Sequence, residues 1–288
     1  MTTNNPTFRQ RRLARTLKGL RIAAGLTHTD VSKVLGSAES KIGRIENCQS
    51  GIRLPDLRAL LDAYNVTNPT ERAALEKLAR EAKQKGWWNH HTDVIEPAYA
   101  TYAAVESDAS EIYNVETSMV PGLLQIPDYT EALSRLQAPG VTEEEIKTEI
   151  EIRRERKNIL TRDNPLRLWA IIAESVLYHQ VGSPDVMRAQ FEALIEASRK
   201  QNIELQVLPR EDPLNACLPG PFVIMSFPGT AETDLAYTEE ATTSLFHEED
   251  KDVQAYTTLF RRLNVAAANV SKSRTLIQDA INHMKQER

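Results

Sequence analysis

Cysteine is nearly absent from this chain. Cys48 and Cys217 are the only two in 288 residues, and no Cys-x-x-Cys occurs. A disulfide framework or a structural zinc site needs several thiols at close spacing, so neither organises this protein, and the cytoplasm is the expected compartment. No run of 18 apolar residues is present, so no membrane-spanning helix is expected and no membrane partner. The opening Met1-Thr2-Thr3-Asn4-Asn5-Pro6 lacks the basic-then-apolar order of a secretion signal. The signatures HExxH, GxSxG, GxxxxGK[ST] and GxGxxG are missing as well, so no catalytic residue and no cofactor are assigned, and the expectation is a protein that is not an enzyme.

Basic residues are fewer than acidic ones, but unevenly so. The whole chain carries a net charge of −5. Residues 1–85 hold 16 Lys and Arg against 8 Asp and Glu, a net of +8, which leaves −13 for residues 86–288. Concentrated positive charge is what neutralising phosphates requires. The length and the 41% hydrophobic content suit about two domains.

What is present in the basic part is a helical motif. Residues 26–47 read as two short helices joined at Gly36. Thr27 is positioned to cap the first with Asp30 as reciprocal partner, and Val31, Val34 and Leu35 form its apolar face. Ser37 is the expected cap of the second, in which Ile42 and Ile45 point inward while Ser40, Lys41 and Arg44 share the opposite side. Helices are also expected over 9–24, over 55–64 with Pro55 at its first position, and from Asn68-Pro69 to about Lys85, ended by Gly86. Helix, glycine turn and second helix with a polar outer face is the layout of a helix-turn-helix reader of double-stranded DNA.

These residues resemble the XRE, or Cro/phage-repressor-like, family over roughly Arg9–Val66. The likeness rests on Leu26-Thr27, Gly36, the Ser40-Lys41-Ile42-x-Arg44-Ile45-Glu46-Asn47 run and Pro55-x-Leu57-x-x-Leu60. The resemblance implies that Glu39, Ser40 and Arg44 face the bases, with Glu39 standing where the family more often has Gln. It implies that His28, Lys41, Asn47, Gln49 and Arg53 lie at the phosphate backbone. Thr27, Ser37 and Ala38, at the starts of the two motif helices, complete the expected DNA-facing set.

Trp87-Trp88-Asn89-His90-His91 marks the expected hinge, residues 86–97, between a head of residues 1–85 and a regulatory and dimerisation body of residues 98–288. The paired tryptophans are expected to pack head on body or on a second subunit, and adjacent histidines do not converge on a metal, so no metal ligand is assigned. In the body, strands are expected at 112–117, 167–173, 203–208, 222–227 and 235–238. Helices are expected at 128–136, at 142–160 with a Thr142/Glu145 capping box, at 183–200, at 252–268 and from Ser273. The stretch 167–208 reads as a parallel pair with a crossover helix. The fold class is therefore α+β overall, an all-α helix-turn-helix head with a mixed α/β C-terminal domain. The acidic groups Glu239-Glu240 and His247-Glu248-Glu249-Asp250 read as an acidic loop or helix start rather than a metal site. Glu174 reads as a pocket carboxylate, a helix cap or a partner of Arg153 or Arg154. The run 143–156 reads as a solvated helix with pairs such as Glu149–Arg153, or as an interface.

Val120-Pro121-Gly122-Leu123-Leu124-Gln125-x-x-Asp128-Tyr129, the Arg153–Arg156 run, Ala173-Glu174-Ser175-Val176-Leu177 and Val207-Leu208-Pro209 before Gly220-Pro221-Phe222 resemble a segment of actinobacterial WhiJ-like regulators. That resemblance implies a homodimer, a small companion protein and an antitoxin-like role. Three functions stay open. The first is a DNA-binding transcriptional regulator whose body senses a small-molecule effector or companion protein, nucleoid-associated through DNA. The second is an antitoxin-like autoregulator that binds a small partner protein, and the third an enzyme with a DNA-targeting head.

Overall fold

The computed structural model describes residues 8–82, 97–227, 234–240 and 243–286. The expected hinge, with its tryptophan and histidine pairs, lies almost wholly outside the described residues. Contacts divide the chain into two units, the first reaching Val105 and the second beginning at Glu106.

Residues 8–82 of the first unit form five helices: α1 Phe8–Ala23, α2 His28–Val34, α3 Glu39–Glu46, α4 Leu54–Ala63 and α5 Pro69–Glu81. Their apolar faces meet in one core containing Leu13, Leu17, Val31, Ile42, Ile45, Leu57, Leu60, Leu61 and Leu75. Four left-handed residues, Gly25, Gly36, Cys48 and Asn65, follow helix ends. At each, the next residue's N–H returns to a carbonyl five residues back, as in Leu26 to Arg21 and Gln49 to Arg44. This hydrogen bond closes the last turn and redirects the chain sharply, so that helices of 7–16 residues pack on one core.

Several expectations are corrected here. Ser37 does not cap α3. Its N–H completes the stop of α2 on Ser32, so the N-cap falls one residue later, on Ala38, without a side-chain bond. Val34 is 51% exposed rather than part of the apolar face. Leu54, not Pro55, starts α4, and α5 ends at Glu81 instead of near Lys85.

A helix unforeseen in the sequence, α6 Pro97–Asp108, leads to a six-stranded sheet ordered β3-β2-β1-β4-β5-β6. The strands are β1 Glu111–Glu116, β2 Arg167–Ala173, β3 Ile203–Leu208, β4 Phe222–Ser226, β5 Leu235–Glu239 and β6 Ser244–His247. The first three run parallel and the last three join antiparallel. Between them lie α7 Pro127–Gln137, α8 Glu143–Lys157 and α9 Pro184–Ala197, and α10 Asp250–Ala266 and α11 Val270–Gln286 follow β6. The expected crossover is confirmed, with α9 joining the parallel neighbours β2 and β3. Ala170 to Ala173 are all at most 2% exposed, as a strand covered on both faces requires. One face packs Val115, Ile171, Phe222 and Ile224 against Phe260 and Leu263 of α10, with Tyr113 and Trp169 edge-on to the Phe260 ring. The outer edge of β3 is closed by the α10–α11 junction, where Ser273 Oγ accepts from Val207 N–H and Ala268 N–H donates to Val207 O, both at 2.9 Å. That removes an open edge of unpaired backbone groups.

Polar residues of this unit are placed differently from expectation. The charged helix α8 is not simply solvated: Arg156 is 6% exposed and grips Glu106 through two bonds, at 2.7 and 2.8 Å. Glu149 accepts from the Ser134 hydroxyl. Glu174, buried, accepts from Arg210 N–H at 2.9 Å and from the Tyr178 hydroxyl at 3.3 Å, so neither Arg153 nor Arg154 is its partner. His247 lies on the strand β6 rather than in an acidic loop or helix start, bonded to Thr238 and with its ring tilted against that of Tyr256.

Candidate nucleic-acid interface

Helix α3 begins with Glu39 and Ser40, and both are exposed, as are Ala38 before them and Arg44 one turn on. Ile42 and Ile45 are 1% and 4% exposed, so the opposite face anchors the helix in the core. Among the described residues Arg44 has no ionic partner, and its guanidinium keeps all five donors. Asn47 and Gln49, also exposed, follow at the helix end, where the left-handed Cys48 turns the chain outward. The sequence-assigned residues from 38 to 49 thus occupy one helix and its two ends.

Lys41 and the assigned residues outside that stretch, Ser37 excepted, have side-chain bonds within the protein. Thr27 forms the expected capping box with Asp30, its hydroxyl donating at 2.6 Å to the carboxylate while accepting from Asp30 N–H at 3.2 Å. Hydrogen bonds from Thr27 hold the Asp30 carboxyl below the usual carboxylate range. Lys41 donates to Asp56 at 2.9 Å, and Arg53, the N-cap of α4 and 77% exposed, reaches the same oxygen at 3.4 Å. Lys41, ahead of Arg53, lowers the pKa of Asp56. His28 meets Glu46 at 3.0 Å. Ser37 is half-buried, and its Oγ is without a hydrogen-bond partner.

Glu46 is the residue that sequence reasoning passed over. Its carboxylate lies between Arg21, at 2.6 and 3.0 Å, and His28, and so ties α1 and α2 to α3. Burial pushes its pKa up, but Arg21 and His28 overcome that and leave the carboxyl below its ordinary value. The outer face of α3 is therefore carried on a frame of charge-assisted bonds at its C-terminal end. Arg21 also donates to Leu26 O at 2.8 Å, fixing the α1–α2 turn. The available signal was an acidic residue following an inward Ile in a strongly basic segment.

A helix on a buried base, with exposed Ser, Glu, Asn and Arg side chains, can enter a major groove and present donors and acceptors to base edges. Comparison with known families agrees: residues 12–75 match a helix-turn-helix domain. The chain is accordingly a DNA-binding regulator. No curated protein and no solved structure matches it significantly. Residues 99–279 match a domain of unknown function, DUF5753, and because this match spans more than half of the chain, the protein belongs to the DUF5753 family.

Proposed function

We propose that this protein is a cytoplasmic, XRE-type transcriptional regulator of the WhiJ-like kind, not an enzyme, that reads its operator through Arg44, Ser40 and Glu39. The observation that carries this reading is the uncommitted outer face of α3, where Arg44 stands exposed over the buried Ile42 and Ile45. Arginine donates in bidentate fashion to guanine O6 and N7, while Glu39 accepts from cytosine N4. Arg53 and Lys41 serve phosphates by exchanging their shared contact with Asp56 for the DNA backbone, and His28, Asn47 and Gln49 flank them. Thr27, Ser37 and Ala38 complete the contact surface, Ser37 through its unpartnered hydroxyl. The C-terminal domain dimerises and answers to an effector, a small molecule or an antitoxin-type companion protein.

Selection of the operator from random DNA, followed by titration, tests the reading. Arg44→Ala weakens the specific site by about 1–3 kcal/mol and relaxes preference at one base pair. Arg53→Ala weakens all sequences alike and lowers the slope of log K against log salt by about one. Uniform weakening by Arg44→Ala would reduce that residue to a phosphate contact and overturn the base assignment.

A further inference from the structure

A cavity of about 320 Å³ opens between the segment following β2 and helix α11. That volume lies in the range of small-molecule sites. Its apolar lining is Leu177, Met187 and Ala280, all at most 4% exposed, together with Met284. Thioethers are soft and deformable and make favourable contacts with aromatic rings. The polar lining includes Tyr178, His179, Gln180 and His283.

The hydrogen bonds these groups already make define what a ligand must offer. The Tyr178 hydroxyl donates to the buried carboxylate of Glu174 at 3.3 Å, which leaves its oxygen as an acceptor. The Nδ1 of His179 faces the carbonyl of Ser118 at 3.2 Å. A carbonyl only accepts, so Nδ1 carries the proton and Nε2 of the neutral ring is an acceptor. Gln180 gives one amide hydrogen to Gly182 O at 3.2 Å and keeps its oxygen. In these three groups the hydroxyl hydrogen, the Nδ1–H and one amide hydrogen are committed, and the acceptors are left over. Glu174 is bonded by the backbone N–H of Arg210, and its carboxylate stands behind Tyr178 with the Arg210 guanidinium also in its field. The Tyr178 side chain is 59% exposed and offers an aromatic face, the preferred seat of an organic cation. The surplus of 13 negative charges over residues 86–288 attracts cations to the whole region.

We propose that this cavity binds a small aromatic amine in its ammonium form, with the ring against the two methionines and the ammonium donating to Tyr178 and His179. The inference extends the effector reading given above and names the effector's chemistry.

The test uses the full-length chain with its methionine methyls labelled with carbon-13, so that five resonances report at once. Phenethylamine shifts the Met187 and Met284 methyls saturably and leaves Met225, buried in β4, unmoved. Phenylacetate, with the same ring and the opposite charge, leaves all of them in place. Tyr178→Ala weakens phenethylamine about tenfold or more. That side chain is exposed, and an unchanged Met225 resonance certifies the fold. Ala280→Met, which fills the cavity, abolishes the shifts. Equal or tighter binding of phenylacetate, shifts unaffected by both variants, or no saturable shift overturns the proposal. Affinity for the selected operator is then measured with and without saturating phenethylamine. Methyl shifts with unchanged DNA affinity leave the cavity assignment standing and remove the effector reading. Changed DNA affinity without methyl shifts does the reverse.

Discussion

Single titratable residues carry distinct work in the two units. In the second, Glu116 at the end of β1 accepts from Asn114 at 3.2 Å and lies within the field of Arg153, Arg156 and Glu239. Burial, with Glu239 adding, lifts its carboxyl to about 7 against the opposing pull of Asn114 and the two arginines. The raised value has a definite consequence for stability. Between about 4.5 and 7 the folded chain holds a proton that the unfolded chain has released, so stability falls as pH rises through that window. Glu116→Gln keeps the shape and the Asn114 neighbour but removes the titration. Urea melts of the variant flatten across that window, and at pH 8 it is more stable than the parent by about 2–3 kcal/mol. Parallel pH profiles for parent and variant would remove the buried-carboxyl account. The Glu106–Arg156 pair nearby behaves in the opposite sense, because removing either partner strands a buried charge. Glu106→Gln alone lowers stability by about 3 kcal/mol, and pairing it with Arg156→Met restores most of that. A double variant as weak as the sum of the single ones would show that the two residues act separately.

At the scale of elements, close approach of backbone decides where helices sit. Gly182, between β2 and α9, has φ +71°, and a Cβ there would lie 2.8 Å from the Cβ of Ala132 in α7. Gly182→Ala therefore loses about 3 kcal/mol, part from the left-handed backbone and part from the clash. Ala132→Gly loses about 1 kcal/mol in a helix interior. Together they lose less than the sum, because the clash is gone, and a four-point cycle of urea melts measures that coupling. Strict additivity would mean that α7 shifts freely. The legibility of elements follows the same physics. Both capping boxes, Thr27 with Asp30 and Thr142 with Glu145, form as the sequence indicates, since a cap is settled within four residues. Strands β2 and β3 are equally plain, Arg167–Ala173 as a compact apolar run and Ile203–Leu208 by its alternation. Helix α6 was not, because Pro97-Ala98-Tyr99-Ala100-Thr101-Tyr102 has no apolar periodicity to read. Strand β6, four residues long beside a run of carboxylates, was hidden by its neighbours. In the interface, which residues of α3 face outward was legible from spacing alone. That His28 and Lys41 bond to Glu46 and Asp56 was not, since those partners stand 18 and 15 residues away and meet only after the helices pack.

For the whole molecule the governing question is how a head of five short helices achieves useful affinity. One recognition helix reads only a few base pairs, so the proposed mechanism needs two heads on half-sites about one helical turn, roughly 34 Å, apart. The unit from Glu106 onward is large enough to supply a self-complementary interface, and its net negative charge keeps it from competing for the same phosphates as the basic head. An effector that binds one dimer geometry better than another then changes DNA affinity by that difference and no more. The full-length chain is accordingly dimeric in light scattering at micromolar concentration, and the operator selected in vitro is a pseudo-palindrome. Inserting about five base pairs between the half-sites turns one of them to the opposite side of the duplex and reduces affinity to that of a single half-site. Inserting about ten restores the facing and, in part, the binding. A monomeric chain, or affinity indifferent to both insertions, would confine recognition to one head and leave the C-terminal domain without a part in spacing.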